Sequence, residues 1–336
     1  TKLSQFYPQI EQAENITIEH LLRHRSGIFN LTNDANFAKG WHKNYFTKTA
    51  LLEKIMSKKN VFLPNEKSSY SNSGYILLSL IAEDVTKQDY STLIEQYITS
   101  PLKLHNTFVG KAIEPSKNEA YSFSKISTWV LEEETDMSIP RGAGAIVSTP
   151  TELNVFMNAL MNGKIVNQES LNLMKLIKDD FGIGLFIIPF YDKKSFGHTG
   201  GIDGFQSVVT YFPDDNLSIA ISSNAVDYLI NSILTNALSV CYNKNLQLPV
   251  FVKLSQEELD QYIGTYSSSG FPLKIMITRD NNTLMGQASG QSAFPLDNFE
   301  KDGFKFDRAG LKMKFNPTEK KMTLIQGGRE FVFTKE

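Results

Sequence analysis

The chain has 336 residues, of which 41% are hydrophobic and 21% charged, as is typical of a globular protein with a sizeable core. Its 34 Lys and Arg residues nearly balance its 36 Asp and Glu residues, so the net charge of −2 gives no basic excess that would indicate nucleic acid or anionic lipid as a partner. The single cysteine, Cys241, excludes an intrachain disulfide and a cysteine-based metal site, and the apolar runs are too short for a membrane span.

Helical patterns dominate the first half of the chain. Thr17 precedes an apolar stretch and predicts a helix that ends at Ser26-Gly27. Thr149-Pro150-Thr151-Glu152 has the form of a capping box, with proline at the first helical position, and predicts another helix. Apolar residues at helical spacing predict further helices over residues 49–57, 74–85 and 91–98.

After Lys178 the pattern changes from helical to extended. An apolar helix is predicted at the end of this region, over residues 228–242. Strands are predicted before it, over residues 181–190, 204–212 and 217–222. Helices followed by neighbouring strands predict an α/β (α+β) fold, in which helices flank an antiparallel sheet.

The last part of the chain has a different composition. Gln247-Leu248-Pro249 interrupts the preceding pattern, and from Gly264 onward short β-prone segments alternate with turn signals such as Asn316-Pro317. Regular short strands with such turns predict a small all-β barrel. We therefore predict two domains, residues 1–248 and residues 254–336.

Tyr70-Ser71-Asn72 stands directly ahead of the predicted helix over residues 74–85. A tyrosine hydroxyl, with an ordinary pKa of about 10, can accept a proton at neutral pH only if a neighbouring positive charge lowers that pKa. Asn72 can place its amide beside the Tyr70 hydroxyl. Taken alone, the motif is explained more simply by a helix start with a buried ring.

His198-Thr199-Gly200-Gly201 is predicted to lie at the end of a strand. Glycine lets a substrate approach the backbone, and the N–H of Gly201 can contribute to an oxyanion hole. His198 can donate a hydrogen bond to a substrate carboxylate or a proton to a leaving group near neutral pH. Taken alone, this motif is also explained by a tight turn.

Together and in this order, the two motifs resemble those of the serine β-lactamase and penicillin-binding-protein superfamily. Gly142-Ala143-Gly144 lies between them, and residues 16–27, 70–75 and 101–107 extend the resemblance over most of residues 1–245. It is closest to the class C β-lactamase-like esterases, D-aminopeptidases and peptidases. The residues after 254 resemble the lipocalin-like β-barrel that is appended to several of these enzymes.

The resemblance implies a serine hydrolase that acts through an acyl-enzyme on small peptide amides or esters. It implies no metal or organic cofactor, a small-molecule or short-peptide substrate, no nucleic-acid partner, and a periplasmic or extracellular location. The family pattern assigns catalytic roles to Tyr70, Asn72, His198 and Gly201, and substrate contacts to Thr199 and Gly200.

Two departures from the family pattern keep alternatives open. The family's Ser-x-x-Lys motif, which carries the nucleophile, is not found ahead of Tyr70, and we expect it upstream of residue 1. Ser100-Pro101-Leu102-Lys103 and Ser122-Phe123-Ser124-Lys125 match its spacing but follow Tyr70 in the chain. His198 stands where true β-lactamases usually have lysine, which favours a peptidase or esterase. The alternatives are a class C-like β-lactamase and a non-catalytic binding protein that lacks the nucleophile.

Overall fold

The computed structural model describes residues 1–37, 40–125, 128–246, 254–290, 293–306 and 309–336. The chain divides into two compact units: the first unit contains Thr1–Phe123 and Leu131–Val226, and the second unit contains Ser124–Val130 and Asp227–Glu336. The domain boundary predicted at Gln247-Leu248-Pro249 lies outside the described residues. Within the described ranges, no helix is both long and apolar enough to cross a bilayer.

The helices largely follow the predicted pattern. The α-helices of the described residues are α1 (Ile18–Leu22), α2 (Lys48–Met56), α3 (Asn72–Thr86), α4 (Tyr90–Ile94), α5 (Ser100–Leu102), α6 (Pro150–Met161), α7 (Gln168–Lys175), α8 (Ile230–Cys241) and α9 (Gln256–Asp260). The hydroxyl of Thr17 caps α1 by accepting the N–H of His20 at 3.1 Å, as predicted. The predicted end at Ser26-Gly27 is wrong, because His24 already has left-handed backbone (φ 56°) and the helix stops at Leu22.

Helix α3 lies in the core of the first unit. Its apolar residues Ile76, Leu77 and Leu80 are almost completely buried. The loop at Gly142 packs directly on this helix, since a Cβ at Gly142 would lie 2.8 Å from the carbonyl oxygen of Tyr75. The Gly142-Ala143-Gly144 stretch therefore allows a close backbone approach to α3 that a larger residue would prevent.

An antiparallel sheet of four strands, adjacent in the sheet in the order in which they follow along the chain, forms the second layer of the first unit. The strands before and within it are β1 (Phe108–Val109), β2 (Phe123–Lys125), β3 (Trp129–Leu131), β4 (Ile146–Val147), β5 (Phe186–Phe190), β6 (Lys193–Ile202), β7 (Phe205–Phe212) and β8 (Leu217–Ser223). The sheet confirms the predicted helix-and-sheet fold. The first strand starts at Phe186 instead of residue 181, because Gly184 has left-handed backbone (φ 65°) and turns the chain.

The second unit contains a closed eight-stranded antiparallel barrel, which confirms the predicted all-β region. Its strands are β9 (Gly264–Ser268), β10 (Phe271–Asp280), β11 (Thr283–Ala288), β12 (Phe294–Glu300), β13 (Gly303–Phe306), β14 (Leu311–Asn316), β15 (Lys321–Gln326) and β16 (Arg329–Lys335). Phe304, Met313, Met322 and Phe333 are almost fully buried in its core. Side chains thus fill the interior, as expected for a small eight-stranded barrel.

Candidate active site

Tyr70 lies in a cluster of aromatic rings in the first unit. Its ring centroid is 4.3 Å from that of His24, 6.1 Å from Phe186 and 6.2 Å from His198. We call His24, Tyr70, Phe181, Phe186 and His198 the aromatic cluster. Tyr70 is 38% exposed, and its hydroxyl makes no hydrogen bond to any of the described residues. The structure therefore brings the two predicted motifs together through the Tyr70 and His198 rings.

The surroundings of Tyr70 raise the pKa of its hydroxyl, which works against a role as a base at neutral pH. Burial raises the pKa of the Tyr70 hydroxyl above its ordinary value of 10.0. No positive charge among the described residues opposes this shift. Tyr70 is therefore protonated at neutral pH unless a further cation approaches its hydroxyl.

Asn72 is the first residue of α3 and is oriented by the preceding loop. Its backbone N–H donates to Oδ1 of Asn30 at 3.1 Å, and its Nδ2 donates to Oγ1 of Thr32 at 3.0 Å. The side chain is half-buried. The Asn72 amide is thus held in one orientation before any substrate binds.

The serines on either side of Asn72 form hydrogen bonds that hold the start of α3 against residues 28–31. The Ser71 hydroxyl donates to the carbonyl of Ile28 at 3.0 Å. The Ser73 hydroxyl donates to the carbonyl of Phe29 at 2.7 Å and accepts the N–H of Leu31 at 3.0 Å. Both hydroxyl protons are therefore committed to backbone carbonyls, which makes these serines structural.

His198 to Gly201 lie in the second half of β6, which continues to Ile202. The pairing of β6 with β5 stops at Gly197, opposite Phe186, whereas its pairing with β7 continues to the end of the strand. Within the described residues, this half of β6 has no partner strand on the β5 side. An extended peptide can bind to such an unpaired strand edge by backbone hydrogen bonds.

The two glycines of the motif meet different surroundings. A Cβ at Gly200 would lie 2.4 Å from Oγ of Ser207, so the neighbouring strand restricts that position. A Cβ at Gly201 would find only the carbonyl oxygen of Phe205, at 3.9 Å. Packing within the fold therefore does not demand glycine at 201, and the space beside it is open to a ligand.

His198 is a neutral imidazole whose ring stacks on Phe186, with centroids 4.2 Å apart. Burial lowers the pKa of His198 below its ordinary value of 6.5, and the hydrogen bond to the Thr199 carbonyl opposes this shift. Because a carbonyl can only accept, Nδ1 carries the proton in that bond. The neutral ring therefore presents Nε2 as a proton acceptor. The donor roles predicted for His198 from the sequence stay a prediction.

A family model described as Beta-lactamase matches residues 1–229, which is more than half of the chain. The chain belongs to the beta-lactamase family.

Relatives in this family cover different parts of the chain. Protein flp of Staphylococcus aureus (strain MW2) is 27% identical over an alignment of 225 residues, and the match covers 63% of this chain and 44% of that protein, so the chain spans less than half of its length. Penicillin-binding protein 4* of Bacillus subtilis (strain 168) is 22% identical over an alignment of 354 residues, and the match covers 94% of this chain and 77% of the relative.

A solved structure with the same fold is the D-stereospecific amidohydrolase from Streptomyces sp. It is 26% identical, has a TM-score of 0.60, and covers 67% of this chain and 74% of its own. The fold over about two thirds of this chain is thus shared with an amidohydrolase.

The two Ser-x-x-Lys sequences found in this chain lie in local structure that does not suit a catalytic Ser-x-x-Lys motif. Ser100 belongs to the short α5, and Lys103 after it has left-handed backbone (φ 56°). The Ser122 hydroxyl accepts the N–H of Gly204 at 3.1 Å, while Lys125 forms an ion pair with Asp227. Neither string places its serine and lysine on one helix face.

Sequence analysis missed His24, Phe181 and Phe186, the three other members of the aromatic cluster. His24 falls within the family-like stretch over residues 16–27, but nothing in its spacing indicates a contact with Tyr70. Phe181 and Phe186 were assigned only to a strand. Among the described residues, no group of three or more His, Cys, Asp or Glu side chains is placed to hold a metal ion.

Proposed function

We propose that the first unit contributes the walls of a serine hydrolase site that cleaves small peptide amides or esters through an acyl-enzyme. The observation that carries the proposal is the contact of Tyr70 with His198, on a strand where Gly201 leaves room for a substrate. Acyl transfer at a carbonyl needs a proton acceptor and N–H donors for the developing oxyanion. The Tyr70 hydroxyl, the His198 imidazole and the open edge of β6 can supply these groups.

The nucleophile is assigned to the family's Ser-x-x-Lys motif, because the serines beside Tyr70 donate their protons to the backbone. In the acylation step, the serine Oγ forms a bond to the substrate carbonyl carbon while Tyr70 accepts its proton. The bond to the leaving amine or alcohol then breaks, and that group takes the proton that Tyr70 accepted from the serine. Water hydrolyses the resulting ester and regenerates the serine.

Tyr70 can accept a proton only if the lysine of that motif lies close enough to offset the pKa rise caused by burial. Asn72 would hold the substrate carbonyl, and the N–H of Gly201 would stabilise the oxyanion. Thr199 and Gly200 would contact the substrate along the unpaired edge of β6.

The neutral state of His198 supports a peptidase or esterase over a true β-lactamase. A β-lactam carries a carboxylate, which is bound best by a permanent positive charge, and a histidine with a lowered pKa does not supply one at pH 7. The similarity to a D-stereospecific amidohydrolase supports amides, including those of D-residues, as the substrate class. The expected periplasmic or extracellular location is part of this proposal and rests on the penicillin-binding relative alone.

A second candidate is a non-catalytic binding protein. It is favoured by one observation: no positive charge among the described residues lowers the pKa of Tyr70. Such a protein would bind peptides along β6 without cleaving them.

A fluorophosphonate probe separates these candidates. Stoichiometric labelling, measured by intact mass, is expected for the hydrolase and would exclude the binding protein. Absence of labelling, together with measurable binding of a D-amino acid amide, would favour the binding protein over the hydrolase. Turnover of nitrocefin faster than that of D-amino acid p-nitroanilides would instead favour a β-lactamase.

A further inference from the structure

His24 occupies an unusual position directly after α1. Its backbone is left-handed (φ 56°), which side chains other than glycine rarely adopt, and its side chain is 3% exposed. Such a conformation costs energy and persists where the surrounding structure fixes it.

The two neighbours of His24 fix its place in the fold. The buried Arg23 guanidinium donates to the carbonyls of Leu173 and Leu176, at 3.0 and 2.7 Å, at the end of α7. Arg25 donates to Oδ1 of Asn65 at 2.8 Å and forms an ion pair with Asp179. His24 therefore stands on a backbone that is held from both sides.

His24 holds both neighbours of Tyr70. Its carbonyl accepts the N–H of Ser69 at 2.9 Å, and its Nδ1 accepts the N–H of Ser71 at 3.1 Å. Its ring also lies against the Tyr70 ring, with centroids 4.3 Å apart. The residues before and after Tyr70 are thus both hydrogen-bonded to His24, Ser69 to its backbone carbonyl and Ser71 to its ring.

The bond to Ser71 defines the chemical state of the ring. An N–H can only donate, so Nδ1 is the acceptor and the ring proton lies on Nε2. The surroundings of His24 are Tyr70, Tyr75, Phe181 and the nearby His198, none of which carries a negative charge that would favour a protonated ring.

We propose that His24 is a positioning residue for Tyr70, which aims the Tyr70 hydroxyl by holding Ser69 and Ser71 and by packing against the phenol ring. This inference rests on the proposed role of Tyr70 as the proton acceptor. Proton transfer depends on heavy-atom placement, and a displacement of about 1 Å can lower a rate by about 10²-fold.

The test compares His24→Asn with His24→Gly. Both replacements tolerate left-handed backbone, and both lose the ring, but only asparagine keeps an acceptor, Oδ1, near the place of Nδ1. The matched control is His20→Asn, because Nδ1 of His20 accepts the N–H of Thr17 at 3.3 Å in the cap of α1.

In turnover of a D-amino acid p-nitroanilide, His24→Gly should lower kcat by about 10²-fold with little change in KM. His24→Asn should recover most of that loss, and His20→Asn should keep the original kcat. A merely structural role predicts equal kcat for His24→Asn and His24→Gly, or losses that follow the thermal unfolding midpoint across the three variants. Either result would overturn the proposal.

Two readouts that need no activity separate this proposal from the proposed function. Hydrogen exchange of the Ser71 amide should be slow in the original chain and in His24→Asn, and fast in His24→Gly. Long-range ¹H–¹⁵N NMR should show His24 protonated at Nε2 and not at Nδ1. Protonation at Nδ1, or slow Ser71 exchange in His24→Gly, would overturn the role of His24. If the chain is inactive but meets both expectations, the proposed hydrolase function is wrong, whereas the positioning of Tyr70 by His24 still holds.

Discussion

Tyr70 of the first unit and two tyrosines of the barrel all pack against aromatic rings, but they differ at their hydroxyl groups. In the barrel, the hydroxyl of Tyr262 donates to Oδ1 of Asp302 at 2.6 Å, and that of Tyr266 donates to the carbonyl of Tyr262 at 2.8 Å. Both are 2% exposed. Tyr70 has a fixed ring but a hydroxyl that bonds to none of the described residues. The barrel tyrosines therefore complete a core, whereas Tyr70 keeps its polar group for a ligand.

The comparison also shows that a raised pKa does not identify a catalytic tyrosine. Burial raises the pKa of Tyr266 to about 12, and burial raises that of Tyr70 as well. What separates them is the hydrogen-bond partner of the hydroxyl and the presence of an imidazole, His198, beside the Tyr70 ring.

The largest expected effect is that of Tyr70→Phe on activity. The variant should lose about 10²–10⁴-fold in kcat, because the proton acceptor is removed. Its free energy of unfolding should change by less than about 0.5 kcal/mol, since no intramolecular hydrogen bond is lost. Kinetics with a D-amino acid p-nitroanilide and urea unfolding measure the two quantities.

Tyr266→Phe is the matched control in the barrel, with the opposite expectation. It loses a buried hydrogen bond and should be destabilised by about 1 kcal/mol, while kcat stays unchanged. Full activity in Tyr70→Phe would show that Tyr70 is not the proton acceptor. It would also remove the functional distinction between Tyr70 and the barrel tyrosines.

The second expected effect is a loss of stability in mild acid that originates in the first unit. All five histidines of the chain, at positions 20, 24, 42, 105 and 198, lie there. Burial lowers the pKa of His24 from 6.5 to about 4, and the nearby His198 acts in the same direction. Between these values the unfolded chain binds a proton that the folded chain does not, so stability falls as the pH decreases from about 6.5 to 4.

For His24 the loss should approach about 3 kcal/mol, since one unit of pKa corresponds to about 1.4 kcal/mol. Urea unfolding at pH 7 and pH 4.5 should give a smaller pH dependence for His24→Asn than for the original chain. Equal dependences in the two proteins would mean that His24 is protonated in the fold without penalty.

Much of the fold could be predicted because its signals are local. Thr17 and Thr149 start α1 and α6 by accepting the N–H three residues on, a bond that the sequence itself brings within reach. The barrel was predicted because regular strands and turns repeat within a short stretch of chain. The domain limits at residues 1–248 and 254–336 stay a prediction.

The candidate site could be predicted only in part. Tyr70 and His198 were recognised as motifs, but the bond from Ser71 to His24 and the stacking of Phe186 on His198 join positions far apart in sequence or on different strands. No periodicity or spacing encodes such contacts. The acceptor state of His198 could not be predicted either, because it follows from the aromatic ring and the carbonyl that surround it.

A smaller effect on activity is expected from Gly201→Ala. The new methyl group would enter the space beside β6 and displace the substrate, which should lower kcat/KM by at least about tenfold. Stability should not fall, since the nearest atom to the added Cβ is 3.9 Å away. Gly270→Ala is the control in the barrel, where the nearest atom is also 3.9 Å away. Unchanged kcat/KM in Gly201→Ala would place the substrate away from this part of β6.

The smallest expected effect is on the titration of His198. Phe186 covers one face of its ring, and burial is the main reason for its lowered pKa. In Phe186→Ala, water reaches that face and stabilises the charged form, so the pKa of His198 should rise towards 6.5. Titration of the ring protons by ¹H NMR measures the shift, and the acid limb of the kcat/KM profile should move to higher pH with it.

Phe331→Ala is the control for this titration, because Phe331 packs edge-on against Phe271 in the barrel, with centroids 5.0 Å apart. It should leave the His198 titration unchanged. If Phe186→Ala also leaves it unchanged, elements other than Phe186 keep water from the ring. If the pKa rises and kcat/KM at pH 7 falls, Phe186 serves the site by keeping His198 neutral, with Nε2 free to accept a proton.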